Sequence, residues 1–278
     1  MNKIILKKQI APGIKLMEVE APLISKSYKP GQFVILRVHE KGERIPLTIV
    51  EANKEIGSIT IIFQEVGKTT RMLGKLKEGD EILDLVGPLG NPSKIKLYGH
   101  VAIVGGGVAI AVAYPIAKAL KAIGNRLTSI IGARNKELLI LEDEMKEISD
   151  ELYVATDDGS KGYRGFVSDV LKEILNKKAT FNMVFTAGPA IMMKVIADIT
   201  RSYGIKTIAS LNPIMMDGTG MCGVCRVVVG NEIKLACIDG PEFDAHLVDF
   251  DLLINRQKMY LKEEKLSLRL YEEGSMIE

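Results

Sequence analysis

The sequence is poor in the features that mark secreted proteins. It holds three cysteines in 278 residues, all of them within residues 222–237, and such a tight cluster is not the paired framework of a disulfide-stabilised domain. The N-terminal residues MNKIILKKQIAPG also lack the apolar core of a signal peptide. We therefore expect a cytoplasmic protein whose thiols are reduced.

The sequence also lacks an excess of either charge and an unbroken hydrophobic run. Its 37 Lys and Arg residues nearly balance 35 Asp and Glu residues, so no large field attracts nucleic acid or an anionic membrane. The longest apolar run, residues 101–117, contains three consecutive glycines and Pro115, which predicts a buried strand turning into a helix rather than a membrane span. What remains is the composition of a globular chain with room for two or three domains.

Residues 3–84 consist of short β-branched runs separated by Gly, Pro or charged turns. The runs are GIKLMEVE, GQFVILRVHE, RIPLTIVEA, GSITIIFQEV and GDEILDLVG, and one short helix is expected near residues 69–76. Several short strands at this spacing predict a small antiparallel β-barrel.

From His100 onward the strands alternate with helices. Strands are predicted in VAIVGGG, NRLTSIIGAR, ELYVATDDGS, FNMVFTAGP and KTIASL. Helices are predicted from the glycines to residue 122 and in LLILEDEMKEI, FVSDVLKEIL and IMMKVIADITRSYG. This alternation predicts a doubly wound α/β domain with a parallel sheet.

We place domain boundaries where the pattern of predicted strands and helices changes. Residues 1–97 are predicted to form the β-barrel domain, 98–210 the α/β domain, and 211–278 a small module with all three cysteines and a charged tail. Apolar residues recur at helical spacing in the tail, at Leu247, Phe250, Leu253 and Ile254. They predict a helix that packs on the body of the protein or docks a partner subunit.

Glycine clusters follow the strands of the predicted parallel sheet. Gly105, Gly106 and Gly107 open a helix, where backbone N–H groups and the helix dipole can hold a pyrophosphate. Ile110 stands where the dinucleotide fingerprint needs Gly or Ala, and a tight turn explains the three glycines equally well. Similar clusters in GARNK, TDDGSKG and TAGPAIMM favour a nucleotide site, because ligands of open parallel sheets bind beyond the carboxyl ends of the strands.

Two short motifs in the barrel have donors suited to a flavin. The stretch RIPLT (44–48) enters a strand, and its hydroxyl can bond a flavin ring edge. The stretch GKTT (67–70) begins a helix and offers N–H and O–H donors to a pyrophosphate. An ordinary strand and an ordinary helix cap are the alternatives.

The order of these motifs resembles the ferredoxin-NADP reductase family. A barrel with R-x-P-L-T and then G-x-T-T is followed by GPLG and an α/β domain that opens with GGG and closes with AGP. The resemblance covers about residues 3–211 and implies FAD on the barrel and NAD(H) or NADP(H) on the second domain. The implied hydride transfer from nicotinamide to flavin requires no catalytic acid or base from the protein.

The resemblance also implies which residues contact the cofactors. Flavin contacts are implied at Arg44, Ile45, Pro46, Leu47, Thr48, Gln64, Glu65, Gly67, Thr69 and Thr70. Pyridine nucleotide contacts are implied at Gly105, Gly106, Gly107, Val108, Ala109, Arg134, Thr156, Asp157, Gly188 and Pro189. Arg134 is the least specific of these, because a solvated arginine is equally consistent with its position.

A reductase with a cysteine module at its C-terminus is similar to two groups of electron-transfer subunits, one of dihydroorotate dehydrogenase and one of NADH-dependent ferredoxin-NADP oxidoreductase. In the first group a C-x4-C-x2-C...C ladder holds a [2Fe-2S] cluster, and here the ladder begins with an aspartate. The implied ligands are Asp217, Cys222, Cys225 and Cys237. A carboxylate is a suitable hard ligand for ferric iron, and the aspartate favours the second group.

The other ligand sets remain open from the sequence. The three cysteines with His246 would make a zinc site, and Asp239 is a rival oxygen ligand. We expect an oxidoreductase subunit that passes electrons between NAD(P)H, FAD and the cluster to or from a larger flavin and iron-sulfur subunit, with ferredoxin reacting there. The alternatives are an electron-transfer subunit of dihydroorotate dehydrogenase and a non-redox, zinc-stabilised nucleotide-binding protein.

Overall fold

The computed structural model describes residues 2–177 and 179–274, and its first part is a six-stranded antiparallel barrel. The strands, which follow the spatial order β1-β2-β5-β4-β3-β6, are β1 (Ile4–Ala11), β2 (Ile14–Glu20), β3 (Phe33–Arg37), β4 (Arg44–Asn53), β5 (Ser58–Gln64) and β6 (Asp84–Leu89). A bridge between Lys3 and Glu81, just before β1 and β6, joins the two edges of the sheet. The predicted antiparallel barrel is confirmed.

Alternating side chains of the barrel strands fill its interior. Met17 and Val19 of β2 and Ile59 and Ile61 of β5 are fully buried, as the period of two along a strand requires. Two helices flank the barrel, α1 (Pro22–Ser27) and α2 (Lys68–Lys75). The helix expected near residues 69–76 is α2, whereas β1 and α1 were not predicted from the sequence.

The second part is a parallel sheet with helices on both faces, as predicted. Its elements are β7 (His100–Gly106), α3 (Ile110–Ala122), β8 (Arg126–Ala133), α4 (Glu142–Ile148), β9 (Glu151–Thr156), β10 (Tyr163–Arg164), α5 (Val167–Asn176), β11 (Met183–Ala187), α6 (Ala190–Ser202) and β12 (Thr207–Ser210). The apolar run 101–117 lies in β7 and α3. No helix in the described part of the chain combines the length and the apolar character needed to cross a membrane.

The helix predicted in LLILEDEMKEI begins later than expected. Leu138 ends a short 3-10 helix, Leu139 is extended and Ile140 is buried in the core, so α4 starts only at Glu142. The three acidic residues of the first turn, Glu142 to Glu144, are favourable at the positive end of the helix dipole, which explains the start.

The third part contains a hairpin, an edge strand and two helices. These are β13 (Arg226–Val229), β14 (Glu232–Leu235), β15 (Glu242–Asp244), α7 (Phe250–Gln257) and α8 (Leu261–Glu272). The strand β15 pairs antiparallel with β12 and so completes the seven-stranded sheet in the order β10-β9-β8-β7-β11-β12-β15. The segment that carries the cysteines is therefore joined to the α/β sheet by backbone hydrogen bonds.

The tail helix starts three residues after the first position of its predicted apolar face. Asp249 caps α7 by accepting a hydrogen bond from the Leu252 N–H at 2.9 Å, so Leu247 lies in the preceding turn and is exposed. Phe250 and Leu253 are buried and Ile254 is half-buried. The packing expectation is confirmed for these three and wrong for Leu247.

Shared cores hold the three parts together. Ile14 and Ile62 of the barrel belong to the same cluster of buried side chains as Ile116 of α3. Phe33 of β3 and Met193 of α6 pack in one cluster with Cys225 and Cys237, so the cysteines lie where the three parts meet.

The carboxyl group of Glu242 lies at this meeting point. Glu242 pairs with Ser210 of β12, and its carboxylate accepts a hydrogen bond from the Ser93 hydroxyl on the segment between β6 and β7. The N–H of Ser93 in turn donates to Pro30 O of the barrel at 2.8 Å. Burial raises the pKa of Glu242 to about 7 from 4.5, against the lowering effects of Ser93 and Lys94.

Replacing Glu242 by glutamine is expected to change how stability depends on pH. The native state holds this proton more tightly than the unfolded state, so stability is lost as pH rises from about 4.5 through about 7. Glu242→Gln should raise the free energy of unfolding at pH 8 by at most about 3 kcal/mol, with little gain at pH 4.5. Urea unfolding of both proteins at the two pH values measures this, and equal differences at both would contradict it.

Candidate functional site

A cleft of about 610 Å³ opens at the carboxyl ends of the parallel strands, between the α/β domain and the barrel. Nine of the predicted cofactor-binding residues line it: Gln64, Gly106, Gly107, Val108, Ala109, Arg134, Asp157, Gly188 and Pro189. Other lining residues are not among the predicted contacts: Ile14, Val66, Leu138, Phe166, Ile191, Met192, Val195 and Asn212. The cleft lies where ligands of doubly wound sheets bind.

Two of the glycines at the cleft have different structural roles. Gly107 has φ +59, and a Cβ built on it meets no heavy atom within 4 Å, so a ligand can reach its backbone directly. A Cβ on Gly106 would instead lie 2.5 Å from Sδ of Met192. Met192 of α6 also covers Gly188, where a Cβ would lie 2.3 Å from its Cε. This methionine lies in the TAGPAIMM cluster but is not among the predicted contacts, because its position beside the two glycines is set by tertiary packing.

The loops after β8 and β9 form one unit at the far end of the cleft. Asp157 N donates to Ala133 O and Asp158 N donates to Arg134 O, both at 3.2 Å. Hydrogen bonds from Ser160 lower the pKa of Asp158. Arg134 and Asp157 therefore line the same cleft with opposite charges.

Two of the predicted nucleotide contacts lie beside the cleft without lining it. Gly105 is buried at the end of β7, against Ile110 of α3. Thr156 is buried, and its hydroxyl donates to Lys161 O at 2.8 Å. Gly105 and Thr156 therefore support the loops at the cleft and do not line the cavity.

The first half of β4 presents an open edge. Residues 44–48 pair with β3, whereas the described pairing of β4 with β5 begins at Ile49. Arg44, Ile45, Pro46, Leu47 and Thr48 are all exposed or half-buried. A proline is tolerated in such a segment because no ladder bond needs its nitrogen. The backbone groups on this edge suit a planar polar ring.

The predicted flavin contacts at the N-terminus of α2 have two different roles, because some cap the helix and one leaves its start open. Gly67 N donates to Thr70 Oγ1 at 3.0 Å, and Thr69 Oγ1 donates to Glu43 Oε2 at 2.6 Å. A Cβ on Gly67 meets no heavy atom within 4 Å, so the helix start is open for a ligand. Glu65 turns away from it, with its carboxylate 3.0 Å from Lys15 Nζ.

The cysteine module brings two thiols together. The Sγ atoms of Cys225 and Cys237 are 3.2 Å apart, and both residues are buried. Burial, and then the neighbouring Cys225, raise the pKa of the Cys237 thiol. Cys222 is exposed. Within residues 2–177 and 179–274 no three His, Cys, Asp or Glu side chains converge as a formed metal site.

The loop that carries Asp217 and Cys222 bends over the two buried thiols. Gly218, Gly220 and Gly223 have positive φ, and a backbone hydrogen bond from Gly220 reaches Cys237. A hydrogen bond from the Thr219 hydroxyl lowers the pKa of Asp217, which keeps its carboxylate ionised. These donors fit an iron-sulfur cluster, which needs thiolates and backbone N–H groups around its sulfides.

The two rival ligands, His246 and Asp239, each already have a hydrogen-bond partner. His246 Nε2 lies 3.0 Å from Thr200 Oγ1 on α6. Asp239 Oδ2 accepts a hydrogen bond from Leu235 N at 2.6 Å.

The cysteine loop also packs on the barrel next to its open edge. A Cβ on Gly218 would lie 2.7 Å from side-chain atoms of Ile35 and Leu89, on β3 and β6. The charge of Arg44, the first residue of the open edge, contributes to the lowered pKa of Asp217. The barrel edge and the cysteine loop are therefore neighbours.

Two family models match the chain. The oxidoreductase NAD-binding domain matches residues 103–198, and the iron-sulfur cluster binding domain of dihydroorotate dehydrogenase B matches residues 212–249. These matches lie on the cleft and on the cysteine module.

Similar proteins extend over almost the whole chain. A Thermotoga maritima homolog of the dihydroorotate dehydrogenase B (NAD(+)) electron transfer subunit is 51% identical over 267 residues, covering 96% of this chain and 94% of the relative. The electron transfer subunit from Desulforamulus reducens is 32% identical over 249 residues, covering 87% and 94%. A solved NADH-dependent reduced ferredoxin-NADP oxidoreductase contains a chain with TM-score 0.93 and 50% identity, covering 99% and 98%.

These relatives confirm the predicted reductase fold and the predicted electron-transfer role. The non-redox, zinc-stabilised alternative is set aside, because both matched models belong to oxidoreductases. The chain belongs to the family of dihydroorotate dehydrogenase B electron-transfer subunits and their homologues, and it is an oxidoreductase subunit with an NAD-binding domain and an iron-sulfur cluster binding domain.

Proposed function

We propose that this subunit passes electrons between a pyridine nucleotide, FAD and a [2Fe-2S] cluster, and to or from a larger subunit of a ferredoxin-NADP oxidoreductase. The observation that carries the proposal is the packing of the cysteine loop on β3 and β6 of the barrel, next to the open edge of β4 and in the same molecule as the nucleotide cleft. When bound, the flavin accepts hydride and releases single electrons, and the cluster carries one electron at a time.

The residues of the chain bind and orient these groups. The edge formed by residues 44–48 holds the flavin ring, and the open start of α2 at Gly67 receives its pyrophosphate. Gly107 lets the nucleotide approach the backbone, while the Val66 side chain, 68% exposed on the cleft, gives an apolar surface that excludes water. We favour NADH over NADPH because the curated relatives from Thermotoga maritima and Desulforamulus reducens are named as NAD(+) proteins and the solved relative as NADH-dependent.

Asp217, Cys222, Cys225 and Cys237 are the proposed cluster ligands. Cys225 and Cys237 already lie side by side, and binding requires Cys222 and Asp217 to turn inward from the same short loop. The exposed side chains around them form an apolar patch, the cluster-side patch, made of Met216, Met221 and Ile238. Met221 is 88% exposed. We propose that this patch faces the electron-accepting or electron-donating centre of the larger subunit.

A second candidate partner is the catalytic subunit of a dihydroorotate dehydrogenase. The family model over residues 212–249 and the relative from Desulforamulus reducens favour it. Asp217 in place of the first cysteine, and the 50% identical chain of the ferredoxin-NADP oxidoreductase, favour our proposal instead. The large subunit that co-purifies with a tagged chain distinguishes the two partners.

A visible absorption spectrum with metal and sulfide analysis tests the cofactor proposal. We expect flavin bands with additional broad absorbance, two iron and two sulfide per chain, and bleaching by NADH faster than by NADPH. A colourless protein that contains zinc would overturn the proposed function.

A further inference from the structure

Two guanidinium groups bind the short stretch between Cys222 and Cys225. Arg226 Nη1 donates to Gly223 O at 2.9 Å, and Arg256 Nη2 donates to Val224 O at 3.1 Å. Gly223 and Val224 are the two residues that separate these cysteines, so both of their carbonyl groups carry a fixed cation.

Arg256 reaches this loop from a helix that is firmly held. Phe250 and Leu253 anchor α7 in the core, and Gln257 Nε2 donates to Asn212 O at 2.8 Å. Asn212 precedes the cysteine loop and also lines the nucleotide cleft. The last turn of α7 thus holds both the start of the cysteine module, at Asn212, and the stretch between Cys222 and Cys225.

The net charge of the proposed cluster with its ligands determines how the two arginines affect its reduction potential. Three thiolates and a carboxylate outweigh the positive charge of a two-iron core, and reduction adds one further negative charge. A nearby fixed cation therefore stabilises the reduced cluster more than the oxidised cluster. A cavity of about 110 Å³ borders both arginines, so water screens part of this effect.

We propose that Arg256, assisted by Arg226, is a positioning residue that orders the Cys222–Cys225 loop and raises the reduction potential of the cluster. The inference rests on the proposed function, since it concerns the proposed cluster. It assigns to the C-terminal helix α7 a part in electron transfer, in addition to its packing on α6 through the ion pair of Lys194 with Asp251.

A redox titration of the purified holoprotein, followed by its visible and electron paramagnetic resonance spectra, tests this inference. Arg256→Gln should shift the one-electron equilibrium of the cluster about tenfold toward the oxidised form, which equals about 59 mV. Arg226→Gln should shift it in the same direction by less, because Arg226 is more exposed. Arg256→Lys keeps the charge and should shift it less than about threefold.

The matched control is Arg201→Gln. Arg201 Nη2 donates to His246 O at 2.7 Å, the same kind of bond, at a site away from the cysteines. A shift in Arg256→Gln no larger than in Arg201→Gln would overturn the inference. So would equal shifts in Arg256→Gln and Arg256→Lys, which would show that charge has no part. If Arg256→Gln does not assemble a cluster, Arg226→Gln and Arg256→Lys decide by the same criteria.

The iron content of the unaltered chain separates this inference from the proposed function. If the unaltered chain holds two iron and two sulfide, and the reduction potential of the cluster is the same in the arginine variants, only the inference is overturned. A chain without reducible iron overturns the proposed function and the inference with it.

Discussion

Replacing Asp217 by alanine is expected to remove the iron-sulfur cluster from most of the purified chain, whereas Asp217→Cys should keep it. Alanine leaves three thiolates for a site that needs four ligands, and cysteine restores the fourth. Loss of groups that only support ligands weakens metal binding by roughly 10–100-fold, so the loss of a ligand should weaken it by roughly a hundredfold or more. Iron and sulfide per chain, with the visible spectrum, measure the result.

Asp239→Ala is the control for this experiment. Asp239 is the carboxylate nearest in sequence to Cys237, and its loss removes one hydrogen bond to Leu235 N, at a cost of about 1 kcal/mol in stability. We expect this variant to keep its cluster. Normal iron and sulfide in Asp217→Ala with an unchanged spectrum would show that the ligand assignment is wrong, and loss of the cluster in Asp239→Ala would identify the rival ligand.

Local patterns explain why much of the fold is predictable. The barrel strands alternate with a period of two, and the α/β strands end in glycines where helices begin, so each element is specified within about ten residues. The strand β1 was missed because its inward and outward positions are less distinct, with Lys7 and Lys8 in its middle. The hairpin β13–β14 carried a readable signal in Gly230-Asn231, both with positive φ.

Long-range contacts explain what the sequence does not reveal. The pairing of β15 with β12 and the hydrogen bond between Ser93 and Glu242 join segments that are far apart in the chain. A three-residue strand such as β15 is also too short to show a periodicity. The hydrogen bond from Arg256 Nη2 to Val224 O joins residues that are 32 positions apart. Such contacts follow from tertiary packing, and no spacing rule predicts them.

The candidate site shows the same division. The glycine loops were predicted because a strand that turns into a helix must leave N–H groups open, and Gly107 has the positive φ that this turn requires. Met192 and Val66 complete the cleft and were not predicted, since an apolar side chain at a helix or strand end has many other uses. The family pattern predicts a flavin contact at Glu65, whereas the structure places its carboxylate 3.0 Å from Lys15 Nζ.

Replacing Gly107 by alanine is expected to weaken NADH binding by roughly a hundredfold, or about 2.7 kcal/mol. The cause is local, because the added methyl group enters the open space through which a pyrophosphate reaches the backbone, and the positive φ of +59 disfavours any side chain. Titration of the holoprotein with NADH measures the affinity, and thermal unfolding measures the stability of the same sample.

Gly204→Ala separates the two causes. Gly204 follows α6 with φ +64, and a Cβ there also meets no heavy atom within 4 Å, so it carries the same backbone strain outside the cleft. Both variants should lose about 1 kcal/mol of stability, and only Gly107→Ala should lose affinity for NADH. If both variants bind NADH within about threefold of each other, strain alone accounts for the effect and Gly107 does not contact the nucleotide.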